Sequence, residues 1–281
     1  MEGVFLSDGR TIRARKGVVC NAPVWNMAKI LQDSVEDNVE AAKAVAQLQH
    51  QADDMQMTRS FMHLHIGIPK DGLPEDLECH HSVLDMRNVT AEQNMVIISI
   101  PTVFDPSLAP DGYHIIHAYS AACDDFAEWE RFLGEGETGK VGHNPNSGQA
   151  SLYNRNESYN EFRIEKTEIL WKAIEKVIPD VRERASRDGS VVLAGTPLTH
   201  RRYNQRFRGT YGPAPGPGKD VWELPFAKTC IDGLLACGDT TFPGIGLPGV
   251  AASGTIAANT LVSVGKQQEL MKKLSLTGSL Q

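Results

Sequence analysis

One segment near the carboxyl end narrows the possible folds more than any other. Gly233-Leu234-Leu235-Ala236-Cys237-Gly238-Asp239 is a short apolar run closed by Gly-Asp. Phe242-Pro243-Gly244-Ile245-Gly246-Leu247-Pro248-Gly249 follows, and then a stretch of small residues from Val250 to Val264. A brief apolar run bounded by turn residues reads as a buried strand, and a Pro-Gly turn into Ala- and Ser-containing sequence reads as the start of a helix.

Gly244, Gly246 and Gly249 satisfy the spacing GxGxxG, but their context is wrong for the first turn of a dinucleotide-binding unit. Such a unit needs a second strand after the helix and an acidic residue about 20 residues past the glycines, to bind a ribose. Here the polar stretch Lys266-Gln267-Gln268-Glu269 follows the helix, and the acid, Asp239, precedes the glycines. The arrangement suits another task. A carboxylate at the tip of a strand accepts hydrogen bonds from sugar-alcohol hydroxyls, while unpaired N–H groups at a helix start face an electron-rich ring. The candidate cofactor-binding residues are therefore Gly238, Asp239, Pro243, Gly244, Ile245, Gly246, Leu247, Pro248 and Gly249. Gly254, Ala257 and Ala258 are expected to let the helix lie close to the sheet. The plainer alternative makes Asp239 a turn or cap residue and the glycines a tight loop.

At 281 residues the chain is long enough for one large or two medium domains. Asp8-Gly9 between two short extended runs predicts an opening β-hairpin, and Val18-Val19-Cys20-Asn21-Ala22 predicts a buried strand. Helical sequence runs from about Val24 through Gln49. From Ser60 to Ile68, Phe61, His63, His65 and Gly67 alternate with Met62, Leu64, Ile66 and Ile68, the period of a half-buried strand. Further strands are expected at Val96 to Ile100 and His114 to Tyr119, forming an antiparallel sheet with one face free to line a cavity. The Gly-, Asn- and Ser-rich stretch 134–160 reads as a surface loop, and Phe162 to Val177 as an amphipathic helix that covers the sheet. Residues 212–218, rich in Gly and Pro, read as a hinge or crossing loop.

A net charge of -7 with scattered basic residues argues against nucleic acid as a partner. Five widely spaced cysteines without CxxC pairs read as mostly buried thiols in a reducing compartment. Thr240 to Gly265 carries no charge, but its prolines and glycines argue against a membrane-spanning helix. His63 and His65 share a strand face, and Cys79, His80, His81 and Asp85 lie nearby in sequence. None of these has the spacing of a structural zinc site, so no metal is assigned. Ser253 lies outside any GxSxG elbow and reads as a small helix residue.

Gly238-Asp239, the Pro-Gly turn and the Ala252-Ser253-Gly254 helix resemble the C-terminal flavin signature of FAD-dependent carotenoid isomerases and phytoene-desaturase-like proteins. The similarity extends through Ile100-Pro101-Thr102-Val103-Phe104-Asp105-Pro106-Ser107-Leu108-Ala109-Pro110-Asp111-Gly112 and Gly195-Thr196-Pro197-Leu198-Thr199-His200-Arg201-Arg202-Tyr203, with Gly209-Thr210-Tyr211-Gly212-Pro213 behind. It covers nearly the whole chain except 134–160. The resemblance implies an α/β (α+β) fold, the C-terminal part of a two-domain FAD/NAD(P)-binding flavoprotein, with an antiparallel-sheet substrate domain covered by helices. Residues 1–25 and 226–281 would then be the remnant of an FAD-binding domain, and 26–225 a substrate-binding domain with a loop insertion at 134–160. The family's ADP-binding βαβ unit would lie upstream, so FAD binding by this chain is expected to be incomplete.

The implied reaction is cis-trans isomerisation of carotenoid polyenes of the prolycopene type, in a plastid, with peripheral membrane association of the complete protein. Reduced flavin is anionic at its N1 side, and the helix start near Gly246 would favour that charge. Met62, Leu64 and Ile66 would line the polyene tunnel, or be ordinary core. His200, Arg201 and Arg202 are the catalytic candidates, to contact flavin or supply a proton, or else form a solvated basic cluster. Leu247-Pro248-Gly249 is less bulky than the usual isomerase turn. A desaturase, retinoid saturase or amine oxidase-like oxidoreductase stays open, as does a non-catalytic fragment that needs a partner.

Overall fold

The computed structural model describes residues 1–32, 35, 38–84, 94–134, 155–214 and 220–273. The chain starts with strands β1 (Gly3–Phe5), β2 (Thr11–Arg13) and β3 (Val18–Cys20), then helices α1 (Val24–Gln32) and α2 (Val39–Asp54). Four strands follow, β4 (Ser60–Pro69), β5 (His80–Leu84), β6 (Met95–Ser99) and β7 (Tyr113–Asp124). Helices α3 (Ala127–Glu130), α4 (Glu157–Glu175) and α5 (Val181–Ala185) precede β8 (Val191–Gly195) and α6 (Pro197–Asn204). Strand β9 (Leu234–Ala236) and helices α7 (Leu247–Leu261) and α8 (Val264–Lys273) complete the series. The fold is a mixture of helix and sheet, and its largest sheet is antiparallel.

Two compact units emerge, one formed by Met1–Thr58 with Gly212–Gln281 and the other by Arg59–Tyr211. These borders differ from the expected ones at residues 25 and 225. Residues 26–58 group with the terminal segments: α1 and α2 pack on one another, the Val24 N–H at the start of α1 donates to Thr240 Oγ1 at 3.1 Å, and Cys230 Sγ donates to the Ala44 carbonyl in α2 at 3.3 Å.

In the first unit, β1 and β2 pair antiparallel from Gly3↔Arg13 to Phe5↔Thr11, which is the hairpin expected around Asp8-Gly9. β3 pairs parallel with β9, Val18 opposite Leu234 and Cys20 opposite Ala236. All three residues of β9 are buried, as its apolar run requires. The helix expected from Val24 to Gln49 is two helices. Asn38 caps the second, its Oδ1 accepting from the Ala41 N–H at 3.0 Å. The sequence Asp33-Ser34-Val35-Glu36-Asp37-Asn38 is rich in side chains that compete for backbone hydrogen bonds and favour helix ends over interiors.

In the second unit, the five strands lie in the order β5-β6-β7-β4-β8, every pairing antiparallel. Alternation along β4 sends Met62, Leu64, Ile66 and Ile68 to one side, each at 1% exposure or less. There they meet Val96, Ile98, Ile116, Ala118 and the helical residues Leu170 and Ile174 in one core. Burying each such side chain stabilises the fold by about 1.5–3 kcal/mol. Met62, Leu64 and Ile66 are therefore closed core and do not line a tunnel. α4 begins at Glu157 behind its Asn156 cap, so the end of the expected 134–160 loop is helical. Residues 135–154 of that loop, and residues 215–218 of the expected hinge, lie outside the described residues.

Candidate functional site

The first unit builds one candidate site at the carboxyl end of β9. The Gly238 N–H donates to Ser253 Oγ at 3.1 Å, which ties the strand tip to α7. Ser253 and Ala257 are buried, whereas a side chain at Gly254 would meet nothing within 4 Å and Ala258 is exposed. The expected close approach through Gly254, Ala257 and Ala258 thus holds for Ala257 alone, with Ser253 taking the place assigned to Gly254. Asp239 and Ile245 both border Gly212: a Cβ on that glycine would lie 2.8 Å from Ile245 Cγ1 and 3.8 Å from Asp239 Oδ2. The carboxylate and the residue that precedes the helix cap thus both border Gly212.

The turn between them is held by backbone. The Gly244 N–H donates to Thr241 O at 2.9 Å and the Phe242 N–H to Pro225 O at 2.8 Å. Phe242, whose peptide bond to Pro243 is cis, stacks on Trp222 and Phe226 with ring centroids 4.8 and 5.0 Å away. Gly249 sits so tightly on the turn that a Cβ there would be 2.6 Å from Gly244 O. Gly246 caps α7 at φ 95°, a conformation suited to glycine, and offers no side-chain cap. Pro248 has no N–H to give, so Gly246, Leu247 and Gly249 carry the first-turn donors that lack an intrahelical partner. Ile245, Gly246, Leu247 and Pro248 are all exposed, so the helix start is open and not filled by side chains.

A cleft of about 830 Å³ also belongs to this unit, lined in part by Met27, Leu48, Met55, Leu224 and Phe226. It touches Thr240 and Thr241 but neither Asp239 nor the glycines of the turn. A polar ligand is oriented by donors and acceptors rather than by volume, and in this unit those groups stand at the strand tip and the start of α7.

The second unit carries another concentration of chemistry, on the sheet face opposite the core. Phe61, His63 and His65 of β4 project there beside His117 and Tyr119 of β7, with His65 directly across from His117. His63 Nδ1 and His117 Nε2 are 3.2 Å apart, and the His65 and His117 rings stack at 4.4 Å with 1° between their planes. His63 lies opposite Gly195, where a Cβ would fall 2.3 Å from the imidazole, so the absent side chain of Gly195 is what makes room for the ring. From α6, His200 stacks on Phe61 at 4.2 Å and comes within 4.7 Å of His63.

Burial keeps these imidazoles neutral. It depresses His63 to about 3, helped by the neighbouring His200, His65 and His117. His117 falls to about 4, through burial and then His65, and His65 itself is lowered by burial. His200 also falls to about 4 through burial and the Arg206 charge, against a hydrogen bond to the Phe61 backbone. Its Nε2 is buried with no hydrogen-bond partner. Burial and the adjacent Tyr211 push Tyr119 up.

The catalytic candidates separate. His200 is 4% exposed, so the solvated cluster expected as its alternative does not form around it. Arg201 and Arg202 are half-buried on the same helix, with the Arg202 guanidinium 5.1 Å over the Tyr203 ring. Cys79, His80 and His81 do not join His63 and His65: His80 contacts Ser99 Oγ at 3.0 Å and His81 the Glu78 carbonyl at 2.9 Å. Asp85 lies outside the described residues. His117 adds to the pair expected on β4: Ile115, His117 and Tyr119 alternate in β7 just as Phe61, His63 and His65 do in β4. Of the five cysteines only Cys79 is buried and Cys230 is exposed, so the thiols are less buried than expected. No helix among the described residues is long and apolar enough to cross a membrane.

No protein-family model matches the chain. It is 32% identical over 269 residues to the chloroplastic prolycopene isomerase of Arabidopsis thaliana, covering 93% of this chain and 38% of that protein. The chloroplastic prolycopene isomerase of Daucus carota is 34% identical over 278 residues, 95% of this chain and 38% of the relative. Prolycopene isomerase 2 of an Oncidium hybrid cultivar is 33% identical over 271 residues, 93% of this chain and 39% of the relative. The chain thus spans about two-fifths of the length of the curated relatives it matches. Among solved structures, an oxidoreductase from Methanosarcina mazei is 16% identical with a TM-score of 0.46, covering 90% of this chain and 44% of that one.

Proposed function

We propose, given that this chain belongs to the carotenoid isomerase-like family, that it takes part in FAD-dependent cis-trans isomerisation of carotenoid polyenes of the prolycopene type, in a plastid. The observation that carries the cofactor reading is the open start of α7 with the Asp239 carboxylate bordering Gly212, as Ile245 does. Two independent features suit one elongated, polyhydroxylated, partly anionic ligand: an acceptor for hydroxyl groups, and a helix amino end with uncapped donors that favours negative charge.

In this reading Asp239 accepts hydrogen bonds from the sugar-alcohol chain, and the Leu247 and Gly249 N–H groups face the ring. Gly249 matters because its Cβ would be 2.6 Å from Gly244 O, so a side chain there would move the donors. When bound, the flavin supplies an electron-rich ring face against which a polyene can lose double-bond character without net oxidation. His200, which burial lowers to about 4 and keeps neutral at neutral pH, is the candidate to contact the ring or exchange a proton with the polyene.

The test is flavin content and polyene product in one set of proteins. Asp239→Ala and Gly249→Val should each lower bound flavin, read from the visible absorption of purified protein, and lower conversion of a poly-cis carotene in cells that accumulate it. Unaltered flavin content and unaltered isomer composition in both variants would sink the reading. Net loss of hydrogen from the product, matched by consumption of an acceptor, would favour the desaturase reading instead. The observation behind that second reading is the slight turn Leu247-Pro248-Gly249.

A further inference from the structure

We propose that His63, His65 and His117 form a binding site for a divalent transition metal of the zinc type, on the sheet face opposite the core of the second unit. The three side chains come from two neighbouring strands, and their candidate ligand nitrogens all lie within 4.8 Å of one another. Ligands on paired strands are held more firmly than ligands on loops. One pair is already at ligand spacing: His63 Nδ1 and His117 Nε2 are 3.2 Å apart. A tetrahedral ion with metal–nitrogen bonds of about 2.0–2.1 Å separates its ligand atoms by roughly 3.3 Å.

The third ligand has to move. His65 lies flat on His117 at 4.4 Å and must turn out of that stack to aim a nitrogen at the shared point. It is the exposed member of the trio, so the rotation meets little resistance. A second observation concerns a ring beside His63. His200, 4% exposed and 4.7 Å from His63 between ring centroids, buries an Nε2 with no hydrogen-bond partner. The donor set is three imidazoles without a carboxylate, which selects zinc, copper or nickel over magnesium or calcium and leaves a fourth position for water or another ligand. The competing account of the 3.2 Å contact is an N–H···N bond between two neutral imidazoles, and it predicts no metal at all. The proposal does not rest on the carotenoid reading.

Untagged protein stripped with chelator and dialysed is titrated with Co²⁺ alone, followed by visible ligand-field absorption, and then with Zn²⁺ to displace it. One equivalent should bind with bands of a four- or five-coordinate site. His65→Ala and His117→Gln should weaken binding at least tenfold, while His80→Ala, His81→Ala and His50→Ala keep the parent affinity. Because His65 is exposed, His65→Ala leaves the fold intact, which far-UV circular dichroism and a thermal melt verify. Absence of saturable one-equivalent binding overturns the proposal, and so does parent-like affinity in both His65→Ala and His117→Gln.

Discussion

The two faces of β4 carry the same backbone, the same neighbours in register and opposite chemistry. On one side Met62, Leu64, Ile66 and Ile68 are sealed into a core at 1% exposure or less. On the other, Phe61, His63 and His65 meet His117, Tyr119 and His200 in a layer of rings. The first face is explained by transfer of apolar surface out of water. The second is not, because imidazoles removed from water lose hydration without a comparable gain.

The largest effect expected from breaking the contrast is on the core face. Ile66→Ala should cost about 3–4 kcal/mol in denaturant unfolding, since the helix-covered side cannot collapse fully around the void. A cost below about 1 kcal/mol would mean that the core face is loosely packed.

Next comes acid. The histidines have folded values below their usual 6.5, so the unfolded chain binds more protons between pH 6.5 and about 4. Their contribution is complete above pH 6.5 and is lost as pH falls through that window. For His200, buried and lowered to about 4, the loss is on the order of 3 kcal/mol. Asp124, buried at the end of β7, opposes this trend. Burial raises it to about 6 despite Lys166, so its contribution is complete below its unfolded value and is lost as pH rises through 6. Unfolding measured across pH 4–6.5 should therefore show a steeper rise with pH in Asp124→Asn than in the parent, and a shallower one in His200→Phe. The same slope in all three proteins would remove burial as the cause.

A smaller effect tests the ring layer itself. Gly195→Ala should cost about 1–3 kcal/mol by pushing the His63 imidazole aside, and much less in a His63→Ala background. Additive costs in that double-mutant cycle would show that the two positions do not share space. The smallest effect belongs to His65→Ala, within about 0.5 kcal/mol, as expected for an exposed side chain away from the core.

How far the sequence carried these features depends on the range of the interaction behind each. The alternation from Ser60 to Ile68 is a local period, and it located β4 and assigned its faces. The hairpin at Asp8-Gly9 and the strand-turn-helix from Leu234 to Leu261 were legible for the same reason. The break between α1 and α2 was written in the Asp33 to Asn38 cluster, but counting apolar spacing alone ran across it. The ring layer was hidden because register, not local pattern, joins its parts. His117 reaches His65 only through the β4–β7 pairing, Gly195 faces His63 only through β8, and His200 arrives on a helix far along the chain. Ser253 taking the place given to Gly254 is a question of helix phase, which small residues on every side of α7 leave undetermined.

The parallel pairing of Val18–Cys20 with Leu234–Ala236 also dictates a timetable. At a ribosomal pace of about 5–20 residues per second, the earlier partner emerges on the order of ten to forty seconds before the later one exists. The contiguous segment Arg59–Tyr211 is made entirely within that interval and can complete its own sheet during it. Until then Val18–Cys20 lacks the strand it pairs with in the folded unit, so the first unit closes only after the second has been made.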